Sequence, residues 1–247
     1  MRRFLHALLA VALFIAPTAA LALYPYPSRM GAGSAASVSY RASYSVDQTG
    51  APLGTLTFTA ADIGTADTGR TVIVGLVVYY NAAAAHVAPT ATIGGVAASA
   101  QVSILDSSTF YVTVLYSANV PTGATANIVF TADSGTINAG SISVYALGGV
   151  PTAAGTTVSD GTNAYSLNSN ISVGNVFVGF CATAYFTAPT NAWVGATENV
   201  DGTSFNVSYS AAHYLATATE SPRTISCTAS GGSVLTDVGG VGAVWAP

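Results

Sequence analysis

The sequence predicts an all-β protein, an antiparallel β-sandwich of jelly-roll-like type built from two related halves. Short runs rich in Val, Ile, Thr, Tyr and Phe recur along the chain, and several alternate apolar with polar residues. Turn-forming residues separate these runs at the spacing of about 8–12 residues that is typical of sandwiches and barrels. After residue 30 no segment has the repeat and caps of a helix, and only Ala82–Ala85 suggests a helical turn.

The predicted strands follow the apolar runs from Ser37 to the C-terminus. They are Ser37–Val46, Gly54–Thr59, Thr71–Tyr80, Thr90–Ile93, Gln101–Leu105, Phe110–Tyr116, Ala126–Thr131, Ser141–Leu147, Val176–Tyr185, Trp193–Thr197, Phe205–Ser210, Arg223–Thr228 and Val241–Trp245. Because the run from Thr71 to Val78 is continuously apolar, we expect a central strand that is covered on both faces. Phe130, Tyr145 and Trp245 lie in alternating strands and are predicted to be core residues.

An internal repeat predicts the two halves. Residues 72–76 (VIVGL) match residues 176–180 (VFVGF), and residues 88–90 match residues 188–190, in the same order along the chain. The period is too long for a solenoid. We therefore expect two related halves packed as opposing parts of one sandwich.

The predicted sandwich spans residues 37–247, with its halves at about 70–150 and 171–247. The strands between residues 37 and 59 would supplement one sheet. The alternative is two small tandem β-domains joined through Gly155–Asn170, a polar segment rich in Gly, Ser and Asn.

The N-terminus predicts export. Residues 1–22 combine an Arg pair, an apolar run that ends before Pro17, and small residues at Ala20 and Ala22, as a secretory signal peptide does. The alternative is an uncleaved membrane anchor, which would be the only contact with a membrane. Residues 23–36 are predicted to form a flexible segment. The expected location is therefore secreted, periplasmic or on the cell surface.

Export gives the two cysteines a role. Cys181 and Cys227 lie in separate β-like runs, and an even pair in an oxidising compartment predicts a disulfide. In the chain-entropy model, closing a loop of about 46 residues is worth roughly 4 kcal/mol. The alternative is two buried free thiols that act as small hydrophobic residues.

The composition excludes several classes of function. Of the 247 residues, 51% are hydrophobic and 6% are charged, against about 25% charged residues in an average soluble domain. Disordered chains combine low hydrophobicity with high net charge, so this chain is predicted to fold. Six Arg and no Lys provide no basic stripe for phosphates, which predicts that nucleic acid is not a partner.

Residues suited to catalysis are scarce. His86 is interpreted as a loop residue and His213 as a strand-edge residue, and neither has a ligand-like neighbour at short spacing. The motifs of zinc proteases, nucleophile-elbow hydrolases and phosphate-binding loops do not occur. The prediction is a protein that is not an enzyme and has no cofactor. A Ser/His/acid triad assembled around His213 from distant positions is the hydrolase alternative.

Trp193, Glu198 and Asp201 are the candidate ligand contacts. An acidic pair beside an aromatic residue suits a sugar site or a calcium-binding turn. Their alternative role is that of ordinary turn residues, which bond their own backbone.

Asp62 and Asp67 form a second acidic cluster that suits calcium, with the same alternative of ordinary turns. Arg70 is predicted to pair with a nearby acid at the surface, an interaction of low value.

Several stretches resemble virion proteins of tailed phages, especially phages of alphaproteobacteria and related prophages. They are Asp62–Ala66, the Val-rich strand at 71–78, Ala91–Ala97, Val120–Gly123, Val144–Leu147, and Trp193 followed by Thr197, Glu198 and Asp201. The resemblance covers about residues 53–247. It implies a β-sandwich in a tail, fibre or capsid-decoration role and offers no site residues.

The expected function is therefore that of a non-enzymatic structural or attachment protein, which acts by surface contact and assembly. Its partners would be copies of itself or other virion or surface proteins, and the virion is the alternative location. The competing hypothesis is a secreted carbohydrate-binding module or bacterial surface adhesin, with glycans as partners.

Overall fold

The computed structural model describes residues 35–48, 50–106, 110–160 and 164–247. The predicted signal peptide, residues 1–22, and residues 23–34 of the predicted flexible segment lie outside the described residues. All the regular secondary structure that is described is β-strand, and every strand pair is antiparallel. The predicted class, an all-β antiparallel β-sandwich, is confirmed.

The described residues form sixteen strands. In chain order they are β1 (Ser37–Asp47), β2 (Thr55–Asp62), β3 (Thr71–Tyr80), β4 (Thr90–Ile93), β5 (Val96–Leu105), β6 (Tyr111–Asn119), β7 (Thr125–Thr131), β8 (Ile137–Gly148), β9 (Thr156–Asp160), β10 (Ala164–Ile171), β11 (Val176–Thr187), β12 (Thr190–Val194), β13 (Thr197–Ser204), β14 (Val207–Leu215), β15 (Glu220–Ser230) and β16 (Ser233–Trp245).

The first eight strands form two layers that share β5. The pairing order is β1-β8-β3-β6-β5-β4-β7-β2, and side chains of β3, β6 and β8 pack against those of β2, β4 and β7 in one core. We call β1, β8, β3, β6 and β5 inner sheet 1, and β4, β7 and β2 outer sheet 1. Because β5 pairs with β6 on one side and with β4 on the other, it joins the two layers.

The second eight strands repeat this order. Inner sheet 2 has the order β13-β14-β11-β16-β9, and outer sheet 2 has the order β10-β15-β12. Both orders are those of the first set with each strand number raised by eight, except that β13 does not pair with β12 as β5 pairs with β4. The sequence matches fall on corresponding strands, β3 with β11 and β4 with β12. Descent of the two sets from one ancestral copy remains a prediction.

The two inner sheets pack face to face, so the described strands form four layers with three apolar cores. Along β3, Val72 and Val74 face the core of the first set, while Ile73 and Val77 face the second set. The third core lies between the sheets of the second set. The predicted central strand is confirmed, because β3 is buried at nearly every position. The three cores differ from the single shared interior that the sequence suggested, since strands covered on both faces need a layer on each side.

Close approach of the inner sheets depends on Gly75 in β3. A Cβ atom at this position would lie 2.6 Å from Cδ2 of Phe180 in β11, inside the contact limit for carbon atoms. The corresponding Gly179 accommodates the ring of Trp193 in outer sheet 2 and that of Phe177 in its own strand. Each glycine of the repeated motif therefore makes room for an aromatic ring of the layer it faces, Phe180 at Gly75 and Trp193 at Gly179.

Three local predictions differ from the structure. The segment Gly155–Asn170, predicted as a linker in the tandem-domain alternative, contains β9 and most of β10. The predicted strand Trp193–Thr197 is interrupted at Gly195, whose φ of 80° ends β12 and begins the turn into β13. Ala82–Ala85 forms no helical turn and lies in the loop between β3 and β4. Phe130, Tyr145 and Trp245 are buried as predicted.

Candidate functional site

The structure brings two of the three candidate contact residues, Trp193 and Glu198, together through Ser210. Trp193 lies in β12 of outer sheet 2, whereas Glu198 and Asp201 lie in β13, the edge strand of inner sheet 2. The indole Nε1 of Trp193 donates to Oγ of Ser210 at 2.9 Å, and Ser210 Oγ lies 3.1 Å from Oε1 of Glu198. Inner and outer sheets of the second set are thus joined by hydrogen bonds at this edge.

Trp193 is a core residue. Its side chain faces inward because β12 alternates, and only 9% of the residue is exposed. The ring meets Tyr165 and Phe177 edge-on, at centroid distances of 5.7 and 6.1 Å. A sugar ring cannot stack on a face that these side chains cover, so the structure does not support the stacking role expected for Trp193.

Asp201 is held by a second group of hydrogen bonds. Asn191, which is 2% exposed, donates from Nδ2 to Oδ1 of Asp201 at 3.1 Å and to Oγ of Ser208 at 2.7 Å. Ser208 in turn donates to the carbonyl oxygen of Pro189 at 3.1 Å. One oxygen of each carboxylate, on Glu198 and on Asp201, is therefore occupied by a side chain of the framework.

The carboxylates of Glu198 and Asp201 are also the predicted ligands of a calcium ion. In the described parts of the chain, no three His, Cys, Asp or Glu side chains form a group able to hold a metal ion. Ligand or calcium binding at Glu198 and Asp201 stays a prediction.

The carboxylates of the second acidic cluster, Asp62 and Asp67, bind other groups of the protein. Asp62 forms a two-point ion pair with Arg41, with Nη2 at 2.8 Å from Oδ2 and at 3.0 Å from Oδ1. The hydrogen bonds from Arg41 lower the pKa of the Asp62 carboxyl below its ordinary value. Asp67 accepts the backbone N–H of Gly69 at 2.8 Å, as the turn alternative expects.

Arg70 is buried, so the predicted surface pair with an acid is wrong. The residue is 2% exposed, and its guanidinium donates to carbonyl oxygens of two loops. Nε reaches Val120 at 2.8 Å, Nη2 reaches Thr122 at 2.8 Å, and Nη1 reaches Gly123 at 2.9 Å and also Gly64. This Arg70 clamp ties the loop before β3 to the loop between β6 and β7. Burial lowers the pKa of the guanidinium, which stays far above neutral pH.

No local pattern distinguishes this buried Arg from a surface one. The carbonyl groups that it binds come from loops about 50 residues apart in the chain, as the separations of its bonds to Val120 and Gly123 show. The one hint in the sequence is the position of Arg70 directly before a fully apolar strand.

His86 lies in a loop, as predicted, but it is buried. Its ring stacks on Tyr80 with a centroid distance of 3.6 Å. Nδ1 lies 3.1 Å from Oδ1 of Asp133, and Nε2 lies 2.9 Å from the carbonyl oxygen of Ala82. Each ring nitrogen thus lies within hydrogen-bond distance of an oxygen of the surrounding framework.

Ser134 completes a Ser, His and Asp grouping that lacks triad geometry. Its Oγ lies 3.4 Å from Nδ1 of His86, the same nitrogen that faces Asp133. In a catalytic triad the nucleophile and the acid occupy opposite ring nitrogens. We therefore interpret the cluster as an anchor for the loop between β3 and β4.

We expect replacement of Asp133 by Asn to destabilise the protein at neutral pH by about 1–3 kcal/mol, the range for hydrogen bonds to charged groups. Burial opposes ionisation of Asp133, but hydrogen bonds from the Val87 and Ser134 backbone and from His86 outweigh it and lower the pKa of the carboxyl. The stabilisation is therefore complete above the unfolded pKa of about 3.9 and is lost as the pH falls through the folded value.

Urea unfolding of both proteins between neutral and strongly acidic pH measures this difference. The gap between wild type and D133N should close at the acidic end. A gap that is constant over the whole range would contradict the role of the ionised carboxylate.

His213 is in the interior of a sheet, so its interpretation as a strand-edge residue is wrong. It lies in β14, which pairs with β11 on one side and β13 on the other. Nδ1 lies 2.6 Å from Oδ1 of Asn199, which also accepts the Tyr145 hydroxyl at 3.0 Å. Burial lowers the pKa of His213. An amide oxygen thus stands where the hydrolase alternative requires an acid.

Cys181 and Cys227 form a disulfide in the structure. Cys181 belongs to β11 of inner sheet 2 and Cys227 to β15 of outer sheet 2, and both are at most 5% exposed. The bond therefore joins the two layers of the second set, and Cys227 lies opposite Trp193 in the pairing of β15 with β12. It closes a separation of 46 residues.

Comparison with known proteins adds no relative. No protein-family model, no curated protein and no solved structure matches this chain. Across the described residues, no helix has the length and apolar character needed to span a membrane.

Proposed function

We propose that this protein is a non-enzymatic structural or attachment protein that acts by surface contact and assembly. The observation that carries the proposal is the character of the two outer sheets, each of which turns an uncharged, hydroxyl-rich face to solvent. We propose a role like that of tail, fibre or decoration proteins of virions, or of a bacterial surface adhesin.

The face of outer sheet 1 is formed by residues that alternate with core residues in β2, β4 and β7. They are Thr55, Thr57, Thr59, Thr90, Thr92, Thr125, Asn127, Val129 and Thr131. Threonine is β-branched and stiff, so the hydroxyl and methyl groups of such a face are held in a regular array.

Outer sheet 2 presents a similar face from β10, β12 and β15. Its residues are Ser166, Asn168, Asn170, Thr190, Ala192, Val194, Thr224, Ser226 and Thr228. Asp62, the charged residue beside the first set, lies opposite Thr125 at the end of β2, and its carboxylate is paired with Arg41. The faces therefore carry little of the charge repulsion that normally keeps proteins apart. Faces of this kind suit close packing against neighbours.

The hydrogen bonds made by side chains that could take part in catalysis also favour a contact role. Arg70 is saturated by carbonyl oxygens, His86 and Asp133 anchor a loop, and Ser210 bonds Trp193. In the described part of the chain, each of these groups has a structural role. We therefore infer that the protein works without a reaction of its own.

The disulfide supports export, because such bonds persist mainly in oxidising compartments. We place the protein outside the cytoplasm, secreted, in the periplasm or at the cell surface, with the virion as the alternative.

The pairing orders support the finer inference that each set of eight strands is a jelly roll. In the first set, the row β1-β8-β3-β6 lies opposite the row β2-β7-β4. β5 is the next strand after β6 in one row and after β4 in the other. Jelly rolls are sandwiches of eight strands that join two Greek keys, and they are common in viral capsid proteins and lectins.

Carbohydrate binding by stacking receives less support. Among the side chains that the structure describes, every aromatic ring is buried or half-buried. A stacking platform for sugars needs an exposed ring face.

Sedimentation velocity of the purified protein tests the assembly function. We expect the sedimentation coefficient to rise with concentration from the micromolar to the high micromolar range. Because the outer faces are uncharged, we expect this association to persist in high salt. A single monomeric species over the whole range would contradict the proposal, and association abolished by salt would show that charged groups carry it instead.

A further inference from the structure

Six of the described strands lie at sheet edges: β1, β2, β9, β10, β12 and β13. An edge strand presents unpaired N–H and C=O groups, which pair readily with another strand. Proteins guard such edges with bulges, charged residues, Pro or short length. The edges of this molecule differ in how well they are guarded.

The two edge strands of the first set are guarded by bulges and charge. The register of β1 shifts at Arg41, whose guanidinium pairs with Asp62 at the end of β2. The register of β2 shifts between Phe58 and Ala61, where Ala60 has a φ of 51°. Neither strand offers a straight, uncharged edge.

Three edges of the second set are guarded as well. β9 is five residues long and ends at Asp160. β12 is also five residues long, and it begins directly after Pro189. β13 has a register shift beside Glu198 and carries Asp201 three residues later.

β10 is guarded only near its end, where its register with β15 shifts between Ser169 and Ile171. It is eight residues long, and it contains no charged residue, Pro or Gly. Its first six residues, Ala164–Ser169, pair with Thr228–Arg223 of β15 in unbroken register. Among the described strands, β15 is its only pairing partner, so no described strand covers its other edge.

The corresponding strand of the first set makes this contrast informative. β2 occupies the same position in outer sheet 1 as β10 does in outer sheet 2. A bulge within the strand, a left-handed residue and an ion pair interrupt β2, whereas β10 has a register shift only near its end and neither of the other two. The unguarded edge is therefore not a consequence of the shared strand order.

We propose that β10 is the assembly edge, and that it pairs antiparallel with β10 of a second copy to form a continuous six-stranded outer sheet. This proposal rests on the proposed assembly function and names its surface. A pair related by a two-fold axis uses the same strand from both copies and closes as a dimer. The backbone groups of β10 would supply the hydrogen bonds, as in other cases of strand addition.

The alternation of β10 restricts the register of this pairing. Leu167 faces the core, while Ser166 and Asn168 face solvent. Opposed residues of antiparallel strands share one face of the sheet, so only registers that match buried with buried residues are allowed. Three central registers meet this condition, with Ser166, Leu167 or Asn168 opposite its own counterpart.

Cysteine cross-linking of the full chain tests the pairing. With Ser166 at the axis, S166C alone should form a disulfide-linked dimer under mild oxidation. With Asn168 at the axis, N168C alone should do so. With Leu167 at the axis, cross-linking needs a mixture of the two variants. The matched control is T224C, which is exposed on the same face but lies in the central strand β15, and it should stay monomeric.

A charge placed on the edge provides the second measurement. We expect N168K to weaken the association at least tenfold, because two copies would bring like charges together beside the axis. A83K adds the same charge to an exposed residue of the loop between β3 and β4, outside both outer faces, and should leave the association within about twofold. T224K adds it to the centre of outer sheet 2 and tests whether the face rather than the edge is the interface. Circular dichroism checks that the variants fold.

The outcomes separate this proposal from the assembly function. Association that N168K leaves unchanged, with no cross-link through β10, would overturn the β10 pairing while the assembly function stands. Equal weakening by T224K would also overturn it, because the outer face rather than the edge would then be the interface. A wild-type protein that stays monomeric would overturn both.

Discussion

Replacing Arg70 by Ala is expected to lower the free energy of unfolding by about 3–5 kcal/mol, because several buried carbonyl oxygens lose their hydrogen-bond donor at once. The guanidinium donates to carbonyl oxygens of Val120, Thr122, Gly123 and Gly64. Each buried acceptor that loses its donor costs roughly 1–3 kcal/mol unless water replaces it. The variant should also loosen the two loops that the Arg70 clamp joins.

Two variants serve as controls for the Arg70 clamp. R70K keeps the charge but not the planar fork of donors, so it should recover only part of the loss. R41A removes a guanidinium that is half-exposed and pairs only with side chains, and it should cost about 0–1 kcal/mol. Urea unfolding measures all three. An R70A protein within 1 kcal/mol of wild type, about the cost of one ordinary hydrogen bond, would contradict the role of the clamp.

Removing the disulfide by replacing Cys181 and Cys227 with Ala is expected to cost about 2–5 kcal/mol. The bond closes a 46-residue separation and joins β11 to β15, so the unfolded chain gains freedom when it is absent. In a protein of this size, each kcal/mol corresponds to a decrease of about 2–4 °C in Tm. Thermal unfolding measures the loss.

Reductant provides the control for this prediction. It should lower the Tm of the wild type to near that of the double variant, and it should leave the double variant unchanged. Mass spectrometry after alkylation without reduction checks the bond directly. Two alkylated thiols in the folded protein would contradict the disulfide and would favour the alternative of buried free cysteines.

Several strands of the fold were predictable with the right bounds because their signal is local. Thr71–Tyr80 and Thr90–Ile93 have the predicted limits, since apolar runs of branched residues stand between clear turns. β9, β10 and most of β13 were missed. Their residues are small and polar, and only one face of such a strand is buried, so the apolar signal is weak.

The sequence identified residues of the candidate site better than it identified what those residues do. Trp193 and Glu198 do come together, but Ser210, which links them, and Asn191, which holds Asp201, were not predicted. The alternation along β12 separates two sets of residues. It does not say which set faces the core, so the sequence left Trp193 open as a surface residue.

Local patterns along the chain are enough to specify the class of structure: strands, turns, and a central strand covered on both faces. Backbone preference and apolar periodicity act over a few residues, so they can be recognised in the sequence. The four layers, the burial of Arg70 and His86, and the edge of β10 that no described strand covers come instead from the packing of the sheets. Each of these depends on groups far apart in the chain that meet only when the sheets pack, because burial and hydrogen-bond partners belong to the assembled layers.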